Sequence, residues 1–174
     1  NLTLTITLKL TEEMSMEENK LEAAMEYLER GWSIIPIRPE TKRPAIKWTE
    51  YQTRQPTEEE VERWWTQWPD HDIALVTGEL SGILVVDCDN ESAKQAADDA
   101  EMFSAVKVQT KRGLHLYFEH PRDGKRRGPR AGVNSRGTDW PKINGLDFRG
   151  DGSYALLPPS KNYTWLSPEY IAWD

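Results

Sequence analysis

The residues best suited to chemistry stand at the end of an apolar run. In GILVVDCDNES, residues 82–92, four aliphatic side chains lead into Asp87 and Asp89, with Cys88 between them. Alternate side chains of an extended strand share a face, so the two carboxylates point together and Cys88 points the other way. Unshielded carboxylates at that spacing repel, and either one retains a proton or a cation sits beside them. Hard oxygen ligands suit Mg2+ or Mn2+. The plainer alternative makes the acids caps for the helix that follows.

Two later stretches add to this pair. GLDFRGDGSYALLPPSK, residues 145–161, brings Asp147 on another strand, and a third carboxylate is what two bridged metal ions require. The competing reading pairs Asp147 with Arg149 or places it in an Asx turn. TKRGLHLYF, residues 110–118, sets His115 on a strand between Leu114 and Leu116, which implies a polar face. Lys111 and Arg112 supply cationic donors for phosphate oxygens, and Gly113 lets backbone approach closely. His71 and His120, near prolines in loops, lack such company.

Elements must position these groups. NLTLTITLKL, residues 1–10, alternates like a strand or is an N-terminal extension through residue 15 that does not belong to the core. From residue 16 to 30 the apolar spacing becomes helical, with Leu21, Ala24, Met25 and Leu28 on one face and Gly31 as a stop. WSIIPIRP reads as a strand, and ETKRPAIKW as a loop held by Pro39 and Pro44. Thr57 with Glu60 forms a capping-box signature for a helix that runs to Pro69, placing Trp64 and Trp68 on a core-facing side. DIALVTG, GILVVDCD, AVKVQT, LHLYFE, GLDFRG and YALLP suit strands, with one helix over about 91–102 and a 26-residue polar stretch from His120 to Gly145. The expected fold class is α+β, with a helical N-terminal part and a mostly antiparallel or mixed sheet.

The bulk numbers set limits. At 174 residues, 37% hydrophobic and with eight tryptophans, the chain buries a core as one domain over residues 16–174. Its lone cysteine builds neither a disulfide nor a cysteine zinc site, and no apolar run approaches a membrane span, so a soluble cytoplasmic protein is expected. The net charge of −7 hides a division: residues 1–106 hold 10 basic against 22 acidic side chains, while residues 107–149 hold 11 against 4. Lys125, Arg126, Arg127 and Arg130, in GKRRGPR, form the centre of this cationic band, which is either a solvated loop or a contact for nucleic-acid phosphates. Trp48 beside Lys47, and Trp140 in the basic stretch, are candidates for stacking on a base.

With AAMEYLERGW, IIPIRPETKRPAIKW, ALVTGELSGILVVDCD, TKRGLHLYF and GLDFRGDGSYALLPPS in order, the sequence resembles the archaeo-eukaryotic primase superfamily. Within it the likeness is to the bifunctional primase-polymerase N-terminal domain of plasmid, phage and mobile-element replication proteins. The resemblance covers residues 17–165. It implies an α/β N-terminal module joined to a sheet related to RNA-recognition modules, and two catalytic Mg2+ or Mn2+ ions held by Asp87, Asp89 and Asp147. It also implies a nucleotide triphosphate facing Lys111, Gly113 and His115, with Arg149 and Lys161 as additional phosphate-binding cations. Relatives often carry serine where Gly113 stands, so only its backbone N–H is expected to serve. The implied activity is template-directed nucleotidyl transfer, DNA primase or polymerase, on a DNA template and primer with dNTP or NTP, in a monomer that is the catalytic fragment of a larger protein. Two rival readings are an Asp-x-Asp metal-dependent glycosyltransferase and a non-catalytic nucleic-acid-binding replication module.

Overall fold

The computed structural model describes residues 20–130 and 143–166. The possible strand at the N-terminus, the start of the first helix and Trp140 lie outside the described residues. Helix α1 covers residues 20–29 and ends at Gly31, whose φ of 84° is a left-handed stop suited to glycine. Among the described residues two further α-helices follow, α2 (Glu58–Gln67) and α3 (Glu91–Asp99). Thr57 and Glu60 close both halves of the capping box on α2.

Among the described residues eight strands build two sheets, and every pairing is antiparallel. The three-stranded sheet runs β1 (Ile34–Ile37), β2 (Asp72–Thr77), β7 (Ser153–Leu157). The five-stranded sheet runs β6 (Leu146–Arg149), β3 (Ile83–Cys88), β5 (Leu114–Glu119), β4 (Lys107–Gln109), β8 (Thr164–Trp165). In this second sheet α3 links β3 to β4, and β3 lies centrally between β5 and β6. That is the beginning of a split βαβ arrangement. The α+β class is therefore correct.

Both faces of β3 are covered, which explains why its sequence is a continuous apolar run and not an alternating one. Ile83 and Val85, with Val108 and Tyr117, face a core shared with the three-stranded sheet, α1 and α2. Val86 and Cys88, with Leu116 and Leu146, face α3 through Ala93 and Ala97. Cys88 thus lies opposite the acid face, as the period of two requires. Trp64 is buried as expected. Trp68 is only partly buried and stacks on His71 at 5.2 Å, while its neighbour Trp65 is the second fully packed ring of α2. Helix α3 stops at Asp99, short of the expected 102, because Glu101 takes a φ of 55°.

Candidate active site

The strand register assembles the site. Asp87 on β3 lies directly opposite Asp147 on β6 and His115 on β5, so the three form one row across the sheet. Directly opposite side chains share a face, and this row is the end of the face that builds the main core. His115 accordingly sits on a face it shares with buried Tyr117, not on the separate polar face expected from its sequence neighbours. The side chain of Asp87 is only 6% exposed and that of His115 only 5%.

One cation ties the row together. Arg149, two residues after Asp147 on β6, places Nη2 at 3.2 Å from Asp87 Oδ2 and 3.0 Å from Asp147 Oδ2. The pairing of Asp147 with Arg149 is therefore real, but it is shared with Asp87. Imidazole Nε2 of His115 lies 3.4 Å from Asp87 Oδ1, a contact without hydrogen-bond geometry, so that both Oδ1 and His115 Nδ1 lack a hydrogen bond. Burial works to raise the Asp87 carboxyl, but His115 and Arg149 outweigh it and hold the group down at about 2. At neutral pH Asp87 is an ionised, buried carboxylate with one oxygen unserved.

Asp89 behaves differently. It follows the last residue of β3, its N–H donates to the Gly145 carbonyl at 2.7 Å, and its Oδ2 accepts from Arg112 Nη2 at 2.9 Å. Neither acid caps α3. Asn90 does, accepting from the Ala93 N–H at 2.8 Å. Asp87 lines a depression of about 170 Å3 with His115, Arg149, Lys42 and Tyr154, while Asp89 lines a neighbouring cleft of about 390 Å3. The cleft carries Lys42, Lys111, Arg112 and Lys161; Lys42, Leu156 and Tyr163 border both spaces. Lys161 is paired with Glu40 at this cleft and holds that carboxyl below its ordinary range.

Gly113 serves packing more than binding. Its N–H donates to Thr110 Oγ1 at 3.0 Å, so this group is not free for a phosphate. A Cβ added here would stand 1.7 Å from the Cys88 carbonyl oxygen, so the glycine permits β5 to begin against the end of β3.

The basic stretch is fixed at the same edge through a residue the motifs did not single out. Asp151 accepts from the backbone N–H groups of Arg127 and Glu79 and returns its own N–H to the Arg127 carbonyl at 2.7 Å. Arg130 bridges backbone to backbone with Phe148 on β6. The Arg127 side chain is paired with Asp123, whereas Lys125, Arg126 and Arg130 form no ion pair among the described residues. Trp48 packs edge-on against Tyr154 at 5.1 Å, beside the acidic depression.

The site can be tested against a divalent cation. Asp87 and Asp147 offer oxygens side by side, and an unbonded buried carboxylate oxygen carries a desolvation cost that a cation would relieve. These two acids fit. Asp89 joins them only by leaving Arg112, and as the side chains stand no group of three or more His, Cys, Asp or Glu gathers around one point among the described residues.

A split βαβ sheet thus sets buried Asp87 opposite Asp147, beside a cleft that carries four cationic and three acidic side chains and an edge that carries the basic stretch. The family model for the bifunctional DNA primase/polymerase N-terminal domain, Prim-Pol, matches residues 24–172, and the chain belongs to that family. No curated protein sequence matches it. Among the described residues no helix is long and apolar enough to cross a membrane.

Proposed function

We propose that this domain catalyses template-directed nucleotidyl transfer, joining the 3′-hydroxyl of a primer to the α-phosphate of an incoming nucleotide with release of pyrophosphate. The observation that carries the reading is the cross-strand pair of Asp87, ionised and buried, and Asp147, with Asp87 lining a depression that shares Lys42, Leu156 and Tyr163 with a cleft carrying four cationic and three acidic side chains. Asp87 and Asp147, with Asp89 once it leaves Arg112, would hold Mg2+ or Mn2+. Bound there, two such ions would lower the pKa of the attacking hydroxyl and neutralise the leaving pyrophosphate.

The chain's own groups supply the rest. Lys42, Lys111 and Arg112 line the cleft that the triphosphate would enter, and their fixed positive charge favours that polyanion over water. Lys161 would join them by exchanging Glu40 for a phosphate oxygen. Tyr163 and Leu156 form the wall between the two spaces and restrict water near Asp87. His115 holds its ring against Asp87 and keeps that carboxylate oriented toward β6. Lys125, Arg126 and Arg130, anchored beside β6, would contact template or primer phosphates.

The test is extension of a labelled primer on a template in Mg2+ or Mn2+. Incorporation by the parent and a loss on the order of 10²- to 10³-fold in Asp147→Asn would support the reading. DNA binding without any incorporation by the parent would reduce the domain to a nucleic-acid-binding module. Transfer of a sugar from a nucleotide-sugar donor would point instead to the Asp-x-Asp alternative.

A further inference from the structure

We propose that Arg149 is a resident counter-cation: its guanidinium neutralises Asp87 and Asp147 before a divalent cation arrives, is displaced when one binds, and then serves the phosphates of the nucleotide. This deepens the nucleotidyl-transfer reading and rests on it.

The argument starts from strand geometry. Two carboxylates placed directly opposite each other on neighbouring strands repel, and burial of Asp87 sharpens that repulsion. The sheet has to supply a positive charge or keep a proton. Arg149 shares the face of Asp147 because it lies two residues along the same strand, and it stands opposite Val85, two pairs further into the core. Leaning back along the strand brings its guanidinium to both acids.

The way it holds them is weak for an arginine. A guanidinium usually grips a carboxylate with two parallel N–H groups. Here the single nitrogen Nη2 makes both contacts, at 3.2 and 3.0 Å, and neither Nε nor Nη1 makes a hydrogen bond among the described residues. The side chain is 32% exposed, toward the depression it shares with Lys42, Tyr154 and Tyr163. Asp87 Oδ1 still has no hydrogen bond, and neither does His115 Nδ1, so the site remains under-satisfied with the arginine in place. A group held by one nitrogen, open on its far side and leaving a buried oxygen unserved is suited to exchange. A divalent cation brings more charge to the same oxygens, and the freed guanidinium remains beside the cleft lined by Lys111 and Arg112.

Exchange has a thermodynamic signature. If arginine and metal compete, removing the guanidinium strengthens metal binding. If Arg149 only holds the acids in position, removing it weakens metal binding. Mn2+ binding measured by the paramagnetic resonance of free Mn2+, without nucleotide, separates the two. Arg149→Gln is expected to bind Mn2+ on the order of tenfold more tightly than the parent, and a non-hydrolysable nucleoside triphosphate more weakly at saturating Mn2+. Unchanged or weaker Mn2+ binding in Arg149→Gln, or none in either protein, would overturn the proposal.

A second measurement reads the parent itself and needs only the conservative Arg149→Lys for assignment. The Arg149 side-chain nitrogen resonance should shift as Mg2+ is added, and a signal that stays fixed would also overturn it. Primer extension by the parent, and its loss in Asp147→Asn, report on the nucleotidyl-transfer reading separately. Those results hold whichever way the Arg149 measurements fall.

Discussion

Two arginines in this protein each bridge two carboxylates, and they do so in opposite manners. Arg54, at the edge of the N-terminal module, uses Nη1 and Nη2 on Glu60 at 2.7 and 2.9 Å, and Nε and Nη2 on Glu50 at 3.0 and 2.6 Å. Glu60 is saturated: it also accepts from the Thr57 N–H and the Tyr51 hydroxyl, both at 2.9 Å. Arg149 touches its two acids through one nitrogen, and Asp87 Oδ1 has His115 Nε2 at 3.4 Å but no hydrogen bond. The carboxylate of Glu60, 17% exposed, where water can reach, is fully served. That of Asp87, 6% exposed, where a missing partner is expensive, is not. An unmet cost of this kind at the end of a core strand is what the proposed binding of a divalent cation would relieve.

The largest expected effect breaks the comparison if it fails. Asp87→Asn and Asp147→Asn should each reduce primer extension on the order of 10²- to 10³-fold while the chain remains folded by circular dichroism. Glu60→Gln should leave the rate unchanged, although Glu60 makes more hydrogen bonds than either aspartate. Equal losses from Glu60→Gln and Asp147→Asn would mean that the buried pair is structural too.

The next effect sharpens the packing side of the same contrast. Gly113→Ala would drive a methyl into the Cys88 carbonyl at the strand end that carries Asp87. Overpacking of this kind costs about 3 kcal/mol, read from the urea midpoint, and the rate should fall with it because β3 and β5 shift relative to one another. A Gly113→Ala protein of parental stability would show that the junction yields more easily than the contact implies.

These contrasts were unevenly legible in the chain. Period-two alternation was enough to separate Asp87 from Cys88, and the Thr57–Glu60 spacing was enough to find the start of α2, because both are local properties. That β6 pairs with β3 in the register that sets Asp147 beside Asp87 is a tertiary fact, and no spacing in GLDFRG announces it. Arg149 is read from the sequence as a phosphate-binding cation or as a partner of Asp147, and its position between both acids depends on the same register. Asp89 looked equivalent to Asp87, yet it falls past the end of the strand, where Arg112 captures it. The signal for the α3 cap lay one residue later, at Asn90, three before the Ala93 N–H it receives. Asp151, which anchors the basic stretch, read as one acid among several in a turn. Strand β8 has two residues and exists through its pairing with Val108 and Gln109, so local pattern had little to show.

A smaller effect compares the two clusters by acid titration. Asp87 is held at about 2 against an ordinary 3.8, with burial opposing and His115 and Arg149 prevailing. Glu60 is held at about 2 against an ordinary 4.5, chiefly by hydrogen bonds from Arg54, with burial opposing. Both carboxyls are lower in the folded state, so each stabilises the fold fully above its ordinary value and loses that contribution as pH falls toward 2. Urea midpoints between pH 5 and pH 2 should therefore fall for the parent. They should fall less steeply for Glu60→Gln from about pH 4.5 downward, and less steeply for Asp87→Asn only from about pH 3.8 downward. The two onsets coinciding would contradict the separate environments assigned to the two acids.

The smallest effect isolates what saturation is worth. Thr57→Ala removes the side-chain oxygen that accepts from the Glu60 N–H, but Glu60 still accepts from the Thr57 N–H, Arg54 and Tyr51. The cost should therefore lie near the lower end of the range for a lost N-cap, about 0.5 kcal/mol, read from the urea midpoint at neutral pH, with primer extension unchanged. A cost near 2 kcal/mol would show that the cap, and not the carboxylate network behind it, holds the start of α2. In the first case the Arg54 cluster is redundant, and it contrasts with Asp87, whose Oδ1 has no hydrogen bond to fall back on.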